Sequence, residues 1–337
     1  MPLLDIFNDN AFGTIALTDA FNVKPNTFGT LQQLGIFPAQ GVRQTHVAIE
    51  RKNYVLNLLP TTVRGGPATK GTVGKRDLRN ISIPTIAHED IVMALDVDGV
   101  RAFGSETELE TVQALMVEKM DTMSAKHDIT LEYLRWGALK GHVLDSDGST
   151  ELLDIFTTFG VTQEVQNFAL TTGSTEVITK VTALKRYMEL NLFGDTMSGV
   201  LVFASSGFMD RLVTQATVKT AYQYFQKSQD PLTQDYRNRF VFGGVTFVEE
   251  NGSATEVDGT VHAFVPANEA IAIPTGTSSF KTYFAPADFI ETVNTPGLPR
   301  YAKQKRMDYD RGIEIHTQSN PLPMCLRPQL LVRLTSA

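Results

Sequence analysis

Residues 66–72 (GPATKGT) bring glycine, lysine and threonine together in the manner of a phosphate-binding loop. In such a loop the lysine follows the last glycine, whereas Lys70 precedes Gly71. Pro67 has no backbone N–H to donate to a phosphate, and no helical pattern follows that would add a positive N-terminus. We therefore interpret the stretch as a glycine-rich turn and not as a nucleotide site.

Other side chains that could do chemistry lack part of the pattern that the chemistry needs. The six histidines show no spacing typical of metal ligands. Residues 145–148 (DSDG) begin like a calcium loop, but the glycine comes two places too early, so a hairpin turn is the better interpretation. In residues 203–207 (FASSG), Phe203 stands where a nucleophile elbow has its first glycine, so Ser206 is predicted to be a helix N-cap.

Two acidic residues and the single cysteine complete the search for reactive groups. Asp308 and Asp310 could chelate a cation, but the neighbouring Arg306 and Arg311 would neutralise them. Cys325 lies in the apolar run LPMCL, which favours a buried structural thiol over a nucleophile, and one cysteine excludes an internal disulfide and indicates a reducing compartment. We therefore predict no catalytic site, no cofactor and no metal site, and we do not expect an enzyme.

Charge is unevenly distributed along the chain. The 337 residues carry a formal net charge of −7, which argues against a nucleic-acid-binding domain. Residues 41–80 hold eight basic and two acidic side chains, a net charge of +6, so the remainder carries −13. Two interpretations stay open: an ordinary solvated face, or a projection that docks on the acidic surface of another copy. No apolar run approaches the ~20 residues of a membrane span, and the N-terminus lacks the pattern of a signal peptide.

Apolar periodicity predicts one long helix over residues 105–141. Ser105 and Glu108 form a capping box, and apolar residues then recur at steps of three and four. Gly141 stands where a helix stop belongs. Such a helix would be about 50 Å long, so we expect a strut along which the rest of the chain lies. The alternative is an ordinary core helix interrupted near Lys126.

The first 86 residues are not expected to bury their own side chains. Residues 1–40 hold short apolar clusters without a sustained period, which predicts an arm that needs another surface. Residues 41–86 alternate as two strands around the glycine-rich tip, which predicts a long two-stranded ribbon. Because an isolated ribbon is marginal in water, we expect it to become ordered by lying on something else.

The remaining segments predict an α+β fold with mixed strands and few further helices. Residues 87–104 are predicted to connect the ribbon to the long helix, with Asp98-Gly99 as a turn. The predicted elements after the long helix are a hairpin over 143–156, helices over 175–193 and 207–225, strands over 199–204, 239–250 and 260–265, and a strand pair formed by 310–317 and 329–334.

Several short motifs, in their order along the chain, resemble those of the capsid protein E family, the major capsid proteins of lambda-like tailed phages. Each motif is weakly specific, and their order across essentially the whole chain carries the likeness. The motifs are residues 34–37 (LGIF), 47–50 (VAIE), 58–60 (LLP), 64–67 (RGGP), 283–288 (YFAPAD) and 318–323 (QSNPLP), with Arg327-Pro328.

The resemblance implies the tailed-phage major capsid (HK97-like) fold, an α+β fold with four named parts. These parts are an N-terminal arm, an extended β-hairpin loop (the E-loop), a peripheral domain with a long spine helix, and an axial domain. The segments expected from the residues map onto them as arm 1–40, E-loop 41–86, peripheral domain 87–165 with spine helix 105–141, axial domain 166–285, and closing peripheral strands 286–337.

The resemblance also implies self-assembly into pentamers and hexamers of an icosahedral head that encloses double-stranded DNA and expands from a precursor. Expected partners are other copies, scaffold and portal proteins and a decoration protein at threefold sites, with no membrane and no sequence-specific DNA binding. The expected location is the virion capsid, with the host cytoplasm during assembly. An encapsulin-like compartment shell is the alternative within the same fold.

Three sets of residues are then expected to make the contacts between subunits. The basic E-loop would lie across an adjacent subunit and meet an acidic face of its spine helix, while apolar arm residues would be buried on a neighbour. The E-loop residues are Arg64, Lys70, Lys75, Arg76 and Arg79; the arm residues are Leu3, Leu4, Phe7, Phe21 and Phe28; the acidic residues are Glu108, Glu118, Asp121, Asp128 and Glu132.

Overall fold

The computed structural model describes residues 29–52, 76–96, 112–225 and 239–337. Its helices are α1 (Thr30–Gln33), α2 (Val112–Lys140), α3 (Ile155–Phe159), α4 (Val177–Leu190), α5 (Ser206–Thr214) and α6 (Ala216–Phe225). Its strands are β1 (Ala39–Gly41), β2 (His46–Lys52), β3 (Arg76–Ser82), β4 (Ile86–Met93), β5 (His142–Leu144), β6 (Glu151–Asp154), β7 (Glu164–Asn167), β8 (Gly199–Ala204), β9 (Phe240–Phe242), β10 (Val245–Glu249), β11 (Ser253–Thr255), β12 (Val261–Ala263), β13 (Glu269–Thr275), β14 (Phe280–Phe284), β15 (Tyr301–Arg306), β16 (Gly312–Ser319), β17 (Pro321–Cys325) and β18 (Val332–Thr335).

Helix α2 is the predicted strut, uninterrupted over the 29 residues that the structure describes. It is about 43 Å long at 1.5 Å per residue. The predicted stop is confirmed, since Gly141 takes a left-handed φ of 87° and its N–H donates to the carbonyl of Ala138. The predicted capping box at Ser105 and Glu108 lies outside the described residues.

A six-stranded sheet in the order β7-β18-β13-β8-β10-β9 lies between two helical layers. Its central strand β8 was predicted from a continuous apolar run, the pattern of a strand buried on both faces. Val200 and Val202 point into a cluster with α4 and α5, while Leu201 and Phe203 point into a second cluster with the C-terminal half of α2. The sheet therefore couples α2 to the layer formed by α4 and α5.

Smaller sheets pack along the rest of α2. The antiparallel sheet β15-β16-β4 rests on the N-terminal half of the helix through Val92, Ile313 and Ile315, which meet Met116 and Met123. The sheet β1-β14-β17 joins residues just after α1 to the C-terminal part of the chain, with β1 parallel to β14. Three two-stranded pairs, β2–β3, β5–β6 and β11–β12, complete the pairing among the described residues.

The predicted ribbon is present as β2 and β3, which pair in register from His46 with Ser82 to Lys52 with Arg76. Its base is buried in the chain's own core through Val47, Ile81 and Ile83. Residues 53–75, which include the predicted tip, lie outside the described residues.

The predicted arm needs a correction over its last residues. Leu31 and Phe37 are buried in the same core as Trp136, and β1 pairs with β14. Residues 29–41 therefore belong to the chain's own body, because Leu31 and Phe37 meet an apolar surface formed by elements far along the sequence. Residues 1–28 lie outside the described residues.

Three other predicted elements differ from the structure. The predicted pair of 310–317 with 329–334 is wrong, since β16 lies between β15 and β4 whereas β18 lies in the six-stranded sheet. Strand β4 falls within a predicted connector, because its inward positions His88 and Asp90 are polar and hide the alternation. The helix predicted over 207–225 breaks at Gln215, whose backbone is extended and whose side chain accepts the N–H of Ala216.

Among the described residues, no helix has both the length and the hydropathy that crossing a membrane requires.

The only tryptophan of the sequence joins α2 to the six-stranded sheet. Trp136 is fully buried, stacks on Phe264 at a centroid distance of 5.5 Å and meets Phe203 edge-on at 4.9 Å. Such pairs add about 0.5–1.5 kcal/mol beyond the burial of their apolar surface. Through Phe203 of β8, this contact is one of those that hold the helix against the sheet.

Replacement of Trp136 by Ala should lower the free energy of unfolding by about 3–5 kcal/mol, because a large buried aromatic leaves a cavity. Urea unfolding of the unassembled chain, followed by circular dichroism, measures the change. The control is Leu190→Ala at the exposed end of α4, where the side chain is 78% exposed and a change within about 0.5 kcal/mol is expected. Similar losses in both variants would contradict the assigned role of Trp136.

Candidate functional site

The predicted E-loop residues fall partly inside the described part of the chain. Arg64, Lys70 and Lys75 lie outside it, and Arg76 begins β3 without a described side chain. Arg79 is opposite Ile49 at the base of the ribbon and is half-buried. Its guanidinium lies 4.0 Å from where a Cβ at Gly160 would stand, so Arg79 packs near the chain's own body.

The predicted acidic face of α2 divides into an exposed part and a buried part. Glu118 and Asp121 are exposed, and their contact with a neighbouring subunit stays a prediction. Asp128 and Glu132 are 6% and 1% exposed, which corrects their assignment to that face. Glu108 and the predicted arm residues Leu3, Leu4, Phe7, Phe21 and Phe28 lie outside the described residues.

Asp128 is buried because it pairs with a cation from the other end of the chain. Arg300 places Nη1 3.2 Å from Oδ1 of Asp128 and also donates to the hydroxyl of Ser124, one helical turn away. Burial raises the pKa of the Asp128 carboxyl, and the positive charges of Arg300 and Arg135 oppose that rise. The pair joins α2 to the segment before β15. Removal of either partner alone would destabilise the fold, because the other charge would stay buried without a partner.

Glu132 lies one turn further along α2 and holds the start of α1. Its Oε1 accepts the backbone N–H of Leu31 at 2.8 Å. Burial raises the pKa of Glu132, opposed by the Leu31 N–H and by the charge of Arg135. Gly29 passes so close that a Cβ there would lie 2.3 Å from the carboxyl carbon of Glu132. A side chain at position 29 would therefore have to displace the Glu132 carboxylate from its hydrogen bond with Leu31.

Arg135 completes this polar face of α2. The buried guanidinium donates from Nε to the hydroxyl of Thr282 at 3.4 Å and from Nη1 to the side-chain carbonyl of Gln32. Burial lowers the pKa of Arg135 to about 10, against the opposing charges of Glu132 and Asp128. Arg135 therefore contacts both α1 and β14. We call Ser124, Asp128, Glu132 and Arg135 the polar ladder.

His127 is buried next to the ladder with a defined tautomer. Thr317 donates its single hydroxyl proton to the carbonyl of His88 at 3.1 Å, so the contact of 2.9 Å between its oxygen and Nε2 of His127 needs the proton on Nε2. Burial, followed by the positive charges of His88, Arg300 and His316, lowers the pKa of His127 to about 4. His127 is therefore neutral at neutral pH.

The stretches considered for chemistry take structural roles. Asp147 accepts the N–H groups of Ser149 and Thr150 at 3.0 and 2.8 Å, which makes residues 145–148 the predicted hairpin turn. The N-cap position of α5 is Ser205 and not Ser206, and its hydroxyl donates to the carbonyl of Glu269. Cys325 is fully buried, and burial raises the pKa of its thiol to about 12, as expected for a structural residue.

Sequence reasoning found the acids of the polar ladder but not their partners. Ser124, Asp128 and Glu132 recur at steps of four, which places them on one face of a helix. That spacing could have indicated a continuous polar stripe, but it does not say whether the stripe meets water or protein. Arg300 and Leu31 come from segments more than a hundred residues away, and no pattern in the sequence around them predicts a contact with the helix.

Replacement of Gly29 by Ala should weaken the anchor of α1. The backbone of Gly29, with φ of 98° and ψ of 129°, lies in a region that L-residues rarely occupy and that costs them about 1–3 kcal/mol. The added Cβ also displaces the Glu132 carboxylate. Gly35→Ala is the matched control, since Gly35 has a φ of 62° and a Cβ added there would meet no atom within 4 Å. Unfolding free energies and the rate of proteolysis before residue 41 should both change more for Gly29→Ala; equal effects would contradict the anchor.

His127 should make stability depend on pH on the acid side of neutrality. Its pKa is lower in the folded chain than the ordinary 6.5, so the unfolded chain binds more protons between these values. The contribution of His127 to the free energy of unfolding is therefore fully present above pH 6.5. It is lost as the pH falls from 6.5 towards 4, by about 3 kcal/mol in total. The raised pKa values of Asp128 and Glu132 act in the opposite direction, so a variant is needed to isolate the histidine.

His127→Gln keeps a donor for Thr317 and removes this titration. Compared by urea unfolding from pH 7 to pH 4.5, the original chain should lose stability relative to the variant as the pH falls. Parallel profiles over that range would contradict the assignment of a neutral, buried His127.

Solved capsid structures share the architecture described above. The capsid protein of an Escherichia coli CFT073 prophage aligns with a TM-score of 0.61 at 13% identity, covering 97% of this chain and 99% of that one. The capsid of Myoviridae phage XM1 aligns with a TM-score of 0.53 at 10% identity, covering 94% and 98%. At these identities the likeness concerns the fold alone, and it confirms the predicted tailed-phage capsid fold.

Two major capsid proteins are similar in sequence over almost their full lengths. That of Pseudomonas phage KPP10 is 30% identical over 340 residues, covering 96% of this chain and 97% of its own. That of Salmonella phage Felix O1 is 27% identical over 350 residues, covering 94% of each. The family model of phage major capsid protein E matches residues 13–336. The chain therefore belongs to the phage major capsid protein E family.

Proposed function

We propose that this chain is the repeating subunit of a tailed-phage head, in which pentamers and hexamers tile an icosahedral shell around double-stranded DNA. The family match across residues 13–336 carries the proposal. The shell first forms as a precursor and expands when DNA enters. Family members are structural proteins, and the proposal includes no catalytic role.

The ribbon formed by β2 and β3 supports a role in joining subunits. Its base is fixed by Val47 and Ile81 in the core, so its direction relative to the body is set. Within the described residues its two strands pair with each other and with no third strand. Since a two-stranded ribbon is marginal in water, a neighbouring subunit is its natural cover.

The positive charge of the ribbon favours contact with an acidic surface of a neighbouring copy. The +6 of residues 41–80 faces a remainder of −13 in every other copy. Arg64, Lys70, Lys75 and Arg76 would meet exposed acids of the neighbour, such as Glu118 and Asp121 on α2, whereas Asp128 and Glu132 are buried against partners of their own chain. Each exposed pair contributes only about 0–1 kcal/mol, but the shell repeats it at every interface.

The other expected parts of the assembly belong to the same proposal. The arm residues Leu3, Leu4, Phe7, Phe21 and Phe28 would be buried on a neighbouring copy, and residues 166–285 would form the axial domain. Scaffold, portal and decoration proteins would be further partners, and assembly would take place in the host cytoplasm. The net charge of −7 favours DNA confinement without sequence-specific contacts.

Deletion of residues 64–74 tests the role of the ribbon. The base of the ribbon and the core remain, so the variant should be soluble and folded, but it should no longer form stable shells. Sedimentation and electron microscopy measure assembly, and circular dichroism measures folding.

A full-length variant with Arg64→Gln and Lys70→Gln distinguishes the effect of the length of the ribbon from the effect of its positive charge. It should assemble with reduced yield, since it retains the length of the ribbon and loses two of its charges. Intact particles from the deletion variant would contradict the role of the ribbon, and particles of the original chain that lack DNA after phage infection would contradict the role of the shell.

A further inference from the structure

Three side chains suited to metal binding converge on the hairpin β5–β6, directly after the C-terminus of α2. Nδ1 of His142 lies 2.8 Å from Oε1 of Glu151 and 3.9 Å from Oδ1 of Asp154. One donor atom from each residue lies within 4.8 Å of the other two. Two of the side chains are exposed and Asp154 is half-buried, so an ion can reach them from solvent.

A β-bulge brings the two carboxylates to the same face of the hairpin. Residues 151 and 154 are three apart, so a regular strand would point them to opposite faces. The register shifts between Val143 and Leu144, so that Leu144 pairs with Glu151 while His142 pairs with Asp154. Since residues 142 and 144 share a face, so do their partners. Bulges often re-aim side chains at functional sites.

Neighbouring groups hold two of the three side chains in place. Oδ1 of Asp154 accepts the N–H of Thr157 at 3.0 Å, as the N-cap of α3, and Oδ2 accepts the hydroxyl of the same residue. The ring of His142 lies against Phe156 at a centroid distance of 5.8 Å. Asp154 is therefore oriented before an ion arrives, and partners of this kind strengthen metal sites.

We propose that His142, Glu151 and Asp154 bind one divalent transition-metal ion of the zinc class. One imidazole nitrogen and two carboxylate oxygens are a donor set that zinc accepts, with three protein ligands and an open position. Ligands around a tetrahedral zinc lie roughly 3.4 Å apart, between the two measured distances, so small side-chain movements suffice. The ion would replace the proton that Nδ1 shares with Oε1 of Glu151; that proton is released to solvent, and the neutral ring keeps its other proton on Nε2. Glu151 is exposed at the surface of the hairpin, so solvent can supply the open fourth position with a water ligand.

The sequence did not indicate this site because its ligands do not follow a metal-binding spacing. They come from both strands of a hairpin, and the bulge that aligns them has no signature in the order of the residues. The bound ion would tie β5 to β6 and to the start of α3.

Isothermal titration of Zn²⁺ into the full-length unassembled chain tests the proposal. We expect saturable binding of one ion per chain and a rise in melting temperature with added zinc. Asp154→Asn keeps the N-cap, for which Asn and Asp are about equally good, and should weaken zinc binding by more than about tenfold, since even supporting residues have effects of that size. His142→Ala should abolish saturable binding.

His316→Ala is the matched control. His316 forms a similar pair with Glu89 at 2.7 Å, and the described residues place no second carboxylate with it in a three-ligand cluster. Zinc binding should be unchanged in this variant, and Co²⁺ bound to the original chain should show d–d absorption bands that disappear in His142→Ala. Absence of saturable binding, equal binding by His142→Ala and the original chain, or equal loss in His316→Ala would each overturn the proposal.

Discussion

The polar ladder of α2 is the constraint on which the arrangement of the body depends. Charges in a low-dielectric interior are stable only when they are paired and hydrogen-bonded. Asp128 requires Arg300, and Glu132 requires the Leu31 N–H. These partners come from opposite ends of the chain, so folding must bring both ends to the same face of one helix. Any other rotation of the helix would leave Asp128 and Glu132 buried without these partners, which costs free energy.

Much of this fold could be predicted from the residues because local signals agreed with the final packing. The strut, its stop at Gly141, the central strand β8 and the ribbon follow from periodicity and turn chemistry, and the structure confirms them in the described residues. The strand pair of 310–317 with 329–334 was wrong, and β4 was not predicted, because strand pairing depends on contacts between residues far apart in the sequence. In β4 the inward residues His88 and Asp90 are also polar, so the strand lacks the apolar alternation that would indicate it.

The candidate site was predictable in kind but not in detail. The basic segment follows from composition, and the acidic residues of α2 were expected from the resemblance to capsid proteins. A polar stripe on a helix looks the same in sequence whether it faces water or buried partners. Only the positions of Arg300 and Leu31 distinguish these cases, and they are set by tertiary structure. The resemblance to capsid proteins predicts the overall role of the chain. It does not predict the pairs that the polar ladder forms with Arg300 and Leu31, because these depend on the tertiary structure.

The close passage of Gly29 against Glu132 has a mechanical consequence. Tension applied to the chain ahead of residue 29 reaches α2 at a carboxylate two turns before its C-terminus, and not at the helix end. Helix α2 contacts Arg300 through Asp128 and the six-stranded sheet through Trp136. A force on the N-terminal segment would therefore be distributed over two layers of the body.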